Sequence, residues 1–162
     1  MVAGIIGADM GSINIRSVTQ QERGPWEQLW QGYLEFYEST LTDRQTAALW
    51  QRIHDPQHEI QCRVAADVDT AELIGLVHFF PHVTTWKLNP VCYLNDLYVS
   101  PAVRGGGTGE ALIKAVVDEA RRRGWEEVYW LTQAHNTTAR GLYDKLTGGS
   151  EGFVNYSIDT SG

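Results

Sequence analysis

Between residues 26 and 37 the apolar positions are Trp26, Leu29, Trp30, Tyr33, Leu34 and Tyr37. That i, i+3, i+4, i+7 spacing gathers them on one side of a 3.6-residue helix, and Pro25 suits its first turn. A second helix is expected after Thr42 or Asp43, carrying Ala47, Leu49, Trp50 and Ile53 and stopping before Pro56. Elsewhere the pattern shortens toward period two. "NIRSVT" (14–19) reads as a short first strand, and "IQCRVAAD" and "LIGLVHFF" read as consecutive strands joined by the polar turn from Asp67 to Glu72. "VCYLNDLYVS" is apolar on both faces, as a covered central strand should be. A helix from about Thr108 to Arg123, a strand "EEVYWLTQ", a helix from about Asn136 to Leu146 and a closing strand "EGFVNYSI" complete the order. Two early helices, a β-meander and then β-α-β-α-β predict an α/β (α+β mixed) fold whose later part is parallel and right-handed.

Composition narrows the class. At 162 residues, 43% hydrophobic and 20% charged, the chain is expected to form a single globular domain over residues 14–160. Residues 1–13 read as a flexible leader. No apolar run approaches the roughly 20 residues of a membrane span, so no membrane partner is expected. Cys62 and Cys92 sit inside strand-like runs, which favours buried thiols and a cytoplasmic location. The net charge of −7 disfavours nucleic acid, whose phosphates need a basic face, and better matches a cationic small substrate. The one basic run, Arg121-Arg122-Arg123, precedes Gly124, where cations favour the negative end of a helix.

The most informative stretch is "VSPAVRGGGTGEALIKAV", which sets four glycines between a covered strand and a helix. A helix start offers unpaired N–H groups and the positive end of a dipole, and glycines let the backbone aim successive amides at one anion. A mobile turn is the plainer reading of glycines alone. The string is neither G-x-x-x-x-G-K-[ST] nor G-x-G-x-x-G, since Glu110 stands three residues after Gly107. It is R-x-x-G-x-G, from Arg104 to Gly109.

In that register, with "YLNDLYVSPAVRGGGTGEALI" before it and "LTQAHNTTARGLYDKL" after it, the chain resembles the GNAT N-acetyltransferase superfamily. Its pattern is nearest the polyamine and histone-type branch. The resemblance implies a mostly antiparallel central sheet with one splayed parallel strand pair, about four flanking helices, and acetyl-CoA as co-substrate. It implies that Leu97, Tyr98 and Val99 pair with the pantetheine arm. Arg104, Gly105, Gly106, Gly107, Thr108 and Gly109 would hold the pyrophosphate, with Asn136 beside the thioester and Lys145 near the phosphates. Tyr143 would protonate the departing thiolate. From the residues alone, Asn136 is a good helix N-cap and Tyr143 a plain core aromatic; Asn136, Ala139 and Tyr143 share one helical face. Relatives are often dimers, so a homodimer is expected, and no metal is.

The implied reaction is acetyl transfer to a primary amine of a small molecule, by direct attack in a ternary complex. A protein lysine or N-terminus is an alternative acceptor, and a CoA-binding domain without turnover is a third reading. An alkylammonium with a pKa of about 10.4 is neutral in about one molecule in 2,500 at pH 7, so a proton acceptor is needed. Polyamine acetyltransferases usually carry glutamate where this chain has Asn95, and an amide takes no proton near neutrality. Asp96 points to the opposite face of the strand and does not replace it. His78, His82 and His135 remain as imidazoles. Trp30, Tyr33, Phe36 and Tyr37 are core by periodicity, although some of them, with Trp86 opposite, suit the wall of an ammonium site near Glu35 and Glu38.

Overall fold

The computed structural model describes residues 12–161. They divide into two compact units, one ending at Trp130 and one beginning at Leu131. The expected leader lies outside the described residues except for Ser12 and Ile13, and Ile13 opens the first strand.

The first unit is a five-stranded sheet in sequential order: β1 (Ile13–Ser17), β2 (Gln61–Asp67), β3 (Leu73–His82), β4 (Val91–Val99) and β5 (Val128–Tyr129). The first three pairings are antiparallel and β4–β5 is parallel, the crossover being helix α3 (Thr108–Arg123). Helices α1 (Arg23–Phe36) and α2 (Asp43–His54) fill the connection from β1 to β2. Of the two cap candidates, Thr42 caps α2, by a reciprocal box with Gln45. The turn from β2 to β3 is built on Asp67, whose Oδ1 accepts from the Asp69 and Thr70 amides.

Both faces of the sheet are covered. Leu76 packs with Trp26, Leu29, Trp30 and Leu34 of α1 and with Trp50 of α2. A Cβ added at its neighbour Gly75 would meet Leu112 of α3 at 3.1 Å and the Tyr98 carbonyl at 3.0 Å. Adjacent strand residues face opposite ways, so α1 and α2 cover one face and α3 the other. Gly75 is therefore required where α3 lies closest on the sheet. The aromatic seam on the first face is dense: Trp26 lies 4.8 Å from Trp50 and 6.3 Å from Trp30, ring to ring.

The helix α3 ends as read. Gly124 takes a left-handed φ of +72°, and its N–H and that of Trp125 return to the last turn. Of the arginines before it, Arg121 pairs with Asp118, while Arg122 and Arg123 converge on one buried carboxylate. Glu119 accepts from Arg122 at 2.7 and 3.0 Å and from Arg123 at 2.9 Å, with Arg63 of β2 at 3.7 Å.

The second unit holds α4 (Thr137–Thr147), capped by Asn136, whose Oδ1 accepts from the Ala139 amide. Two strand expectations need correction. "EEVYWLTQ" shrinks to Val128–Tyr129, because β4 offers it a ladder only at Cys92 and Tyr93. "EGFVNYSI" forms no strand: Phe153, Val154, Tyr156 and Ile158 are 72–89% exposed. Alternation supplies an apolar face, but a strand exists only where a neighbour accepts its hydrogen bonds.

The Glu119 cluster carries a prediction. Chiefly through the Arg122 hydrogen bond, its carboxyl is held at about 2, below the ordinary 4.5. A lowered folded-state value stabilises above the unfolded value and is lost as pH falls through the folded one. Glu119→Gln should therefore lower the melting temperature at pH 7, and the gap from the parent should close between about pH 4.5 and 2. A gap unchanged at low pH would show that packing, not charge, holds this corner.

Candidate active site

On one side β4 pairs with β3 along its length, but on the other its ladder with β5 ends at Tyr93↔Tyr129. From Leu94 to Val99 that second edge continues past the ladder, about 17 Å at a strand's rise per residue. Within this stretch the β3–β4 register slips: Phe79 faces Leu94 and His78 faces Asp96, which leaves Asn95 as an extra, exposed residue. This is a β-bulge, and it turns Asp96 inward while Asn95 stays in solvent.

Asp96 is a buried charge, 7% exposed, on the face of the sheet opposite Glu119 and α3. His78 Nδ1 lies 3.0 Å from its Oδ2, and the Trp26 indole N–H donates to His78 Nε2 at 3.0 Å. An indole nitrogen only donates, so Nε2 carries no proton and Nδ1–H points at the carboxylate. Tyr33 and Asn95 also hydrogen bond to Asp96. Burial alone would raise the Asp96 carboxyl; the donors from His78, Asn95 and Tyr33 outweigh it and hold it below its ordinary value. The same pairing, with burial leading, pushes the Tyr33 hydroxyl well up. Asp96 is thus a structural carboxylate. His78 is not a base, because a proton on Nε2 would face the Trp26 N–H.

At the end of β4 the chain makes a short 3-10 turn, Pro101–Val103, and then the glycine loop. Gly105 and Gly107 take left-handed φ angles of +87° and +79°, which side chains rarely adopt. Nothing lies within 4 Å of a Cβ built on either, so the space over the loop is open. Gly107 caps α3, and Thr108 and Gly109 begin it, so amides at this helix start have no intrahelical acceptor. Arg104 is held in place: its Nε donates to the Val99 carbonyl at 3.0 Å, and its guanidinium lies 5.5 Å from the Phe36 ring and 5.6 Å from the Tyr98 ring. Tyr98 in turn rests on Gly32 of α1, where any Cβ would collide with its ring. The anion-cradle reading fits these residues: glycines in conformations that turn amides outward, an open space above them, and a helix dipole behind.

Leu97, Tyr98, Val99, Arg104, Gly105, Gly106, Gly107, Thr108 and Gly109 therefore lie in one continuous strand–loop–helix run. Asn136, Tyr143 and Lys145 lie on the second unit, where Asn136 and Tyr143 are half-buried and Lys145 is exposed. Of the early aromatics, Trp30 is core, Tyr33 belongs to the Asp96 network, and Phe36 lies exposed under Arg104. Trp86 is 91% exposed in the β3–β4 loop. Among the described residues, no three His, Cys, Asp or Glu side chains are grouped to hold a metal ion. No described helix is long and apolar enough to cross a membrane.

Sequence reasoning missed two groupings. One is the Trp26–His78–Asp96–Tyr33 network. The other is a pair on the same sheet face: Tyr129 Oη stands 2.8 Å from His82 Nε2. Both depend on strand register, and only the bulge at Asn95 brings His78 opposite Asp96.

A sheet of this order, with a strand edge that opens into a glycine-rich helix start, is the architecture of an acyltransferase that takes its acyl group from a nucleotide-bearing thioester. The chain belongs to the acetyltransferase (GNAT) family, whose model matches residues 26–148. It is 31% identical to the D-amino-acid N-acetyltransferase HPA3 of Saccharomyces cerevisiae over 83% of each chain. It is 30% identical to the uncharacterized N-acetyltransferase YhfO of Bacillus subtilis, over 91% of this chain and 97% of that one. Among solved structures, AAC(6')-Iy in complex with a CoA-S-monomethyl-acetylneamine bisubstrate analogue shares the fold with a TM-score of 0.78 at 19% identity, over 91% of this chain and 98% of that one. The protein is an N-acetyltransferase of this family, which uses acetyl-CoA.

The network yields a stability test. Asp96→Ala leaves the His78 and Tyr33 donors buried without acceptors and should cost about 3 kcal/mol in urea unfolding. Asn95→Ala, on the exposed bulge, should cost less than about 1 kcal/mol. Similar losses for both would remove Asp96 from its central place.

Proposed function

We propose that the protein transfers the acetyl group of acetyl-CoA to a primary amine of a small molecule, by direct attack within a ternary complex. The observation that carries this reading is the β4 edge, unpaired beyond Tyr93 among the described residues, leading through one short turn into the glycine cradle. When bound, acetyl-CoA supplies an activated thioester carbonyl. Leu97, Tyr98 and Val99 would hold the extended arm by backbone hydrogen bonds, and the amides from Gly105 to Gly109 would hold the pyrophosphate. Arg104, fixed between Phe36 and Tyr98, keeps the loop beside the strand and lends its charge. A backbone N–H near Leu97 or Val99 would receive the oxyanion. Asn136, Tyr143 and Lys145 of α4 take the thioester, leaving-group and phosphate roles that their place in the family motif gives them.

A small cationic acceptor is supported by α1. Its solvent side forms a shallow groove of about 470 Å3 lined by Gly24, Glu27, Gln28, Gln31, Gly32 and Glu35. Two carboxylates with amides between them suit an ammonium rather than an anion. Relatives include an enzyme named for D-amino acids and, at 32% identity over 46% of this chain, a thialysine N-ε-acetyltransferase from Bos taurus. Both names describe small amines, so the polyamine branch is one acceptor class among several in this reading. The reading also includes a cytoplasmic homodimer, supported by two buried free thiols and the exposed apolar run from Phe153 to Ile158.

Thiol release from acetyl-CoA against a panel of polyamines, D-amino acids and lysine-containing peptides tests the activity. Turnover with small amines and not with peptides is expected, and silence across the panel would sink the proposal. Tyr143→Phe should lower kcat substantially yet incompletely, because a phenol is about 1.5 pKa units weaker an acid than a thiol. Acetyl-CoA should raise the parent's melting temperature. Gly107→Val, forced to a φ of +79°, should lose most of that rise, and a full rise in the variant would move the phosphate site elsewhere.

A further inference from the structure

We propose that His82 and Tyr129 form the proton acceptor that Asn95 does not provide. This rests on the amine-acetylation reading above. Tyr129 is the last residue of the β4–β5 ladder and pairs with Tyr93, so its side chain stands on the α1 side of the sheet where the β4 edge becomes free. Its hydroxyl lies 2.8 Å from His82 Nε2, and His82 Nδ1 lies 3.0 Å from the Val83 carbonyl. A carbonyl only accepts, so Nδ1 carries the proton and Nε2 accepts from Tyr129. When Nε2 gains a proton, both ring N–H groups still have acceptors, Val83 O and Tyr129 Oη. His78 has the opposite wiring, with a donor fixed against its Nε2.

The transfer balances. An ammonium N–H bond breaks as the proton moves to Tyr129 Oη, and the Tyr129 O–H bond breaks as its proton moves to His82 Nε2. The neutral amine then forms the C–N bond and the C–S bond breaks. The second nitrogen proton ends on the thiolate sulfur, and imidazolium returns its proton to water, one per acetyl group. Burial first, then the Glu127 charge, raises the Tyr129 hydroxyl, so it remains a relaying O–H rather than a phenolate. The titratable groups around the pair are Tyr93 and Cys92 on β4, Asp96 and Tyr33 near Tyr93, Glu127 ahead of β5, and Lys87 of the β3–β4 loop, which pairs with Glu127 at 3.8 Å.

The test compares parent, His82→Gln, Tyr129→Phe and the double variant at saturating acetyl-CoA with the best amine of the panel, from pH 6 to 9.5. Each single change should lower kcat by about 100-fold, the double change no further, and the acid-side limb of the pH profile should flatten. The KM for acetyl-CoA should stay within about twofold of the parent's. Single variants within threefold of the parent, limb retained, would overturn the relay while leaving acetylation standing. A silent parent would remove both. Independently of folding variants, 15N NMR of the parent alone should show His82 protonated at Nδ1 and bare at Nε2; the reverse tautomer would also overturn it.

Discussion

Asp96 is a carboxylate taken out of water in the middle of the sheet, and the structure around it is arranged to keep it ionised. His78 reaches it across one strand pair, Tyr33 from α1 and Asn95 from the adjacent position. Trp26 then fixes the far nitrogen of His78 and closes the chain of donors back onto α1. One buried charge thereby sets the position of α1 on the sheet, the register of β3 against β4, and the direction in which the bulge turns. Breaking such a network from within is costly because each donor left behind is also buried. The strand that carries the bulge is the strand whose outer edge leaves its ladder at Tyr93, so the geometry of the proposed acyl site is inherited from Asp96.

What the sequence made legible follows what local chemistry marks. Helix α3 is read to its ends because a glycine loop opens it and Gly124 closes it, and Thr42 or Asp43 marks the start of α2. The four antiparallel strands are visible as apolar runs bounded by turn residues. The closing strand expected from "EGFVNYSI" does not form: the run has the alternation of a strand yet no neighbour among the described residues to pair with. The site divides the same way. The cradle from Arg104 to Gly109 is contiguous and its residue types explain themselves. His78 with Asp96, and His82 with Tyr129, are 18 and 47 residues apart and meet only through a register that a single extra residue resets.

Two histidines four positions apart on one strand face show how little residue type decides. Both present one ring nitrogen to a partner that fixes the tautomer. In His78 the remaining nitrogen meets a donor, so the ring is a strut. In His82 it meets a hydroxyl that can donate or accept, so the ring keeps a second protonation state open. The difference lies in Trp26 and Tyr129, neither of which is remarkable by position along the chain.

Gly32 has a consequence for how this enzyme can diversify. Tyr98 occupies the space a side chain there would need, so α1 and β4 are in contact at a point with no slack. Variation at that point would displace the strand along with the helix. Glu27, Gln28, Gln31 and Glu35 line a groove on the outer side of α1, where Glu27 also pairs with Arg23 at 3.7 Å. In the proposed reading, a change of acceptor would fall on these outer positions, while the contact at Gly32 holds fixed the strand proposed to take the acyl donor.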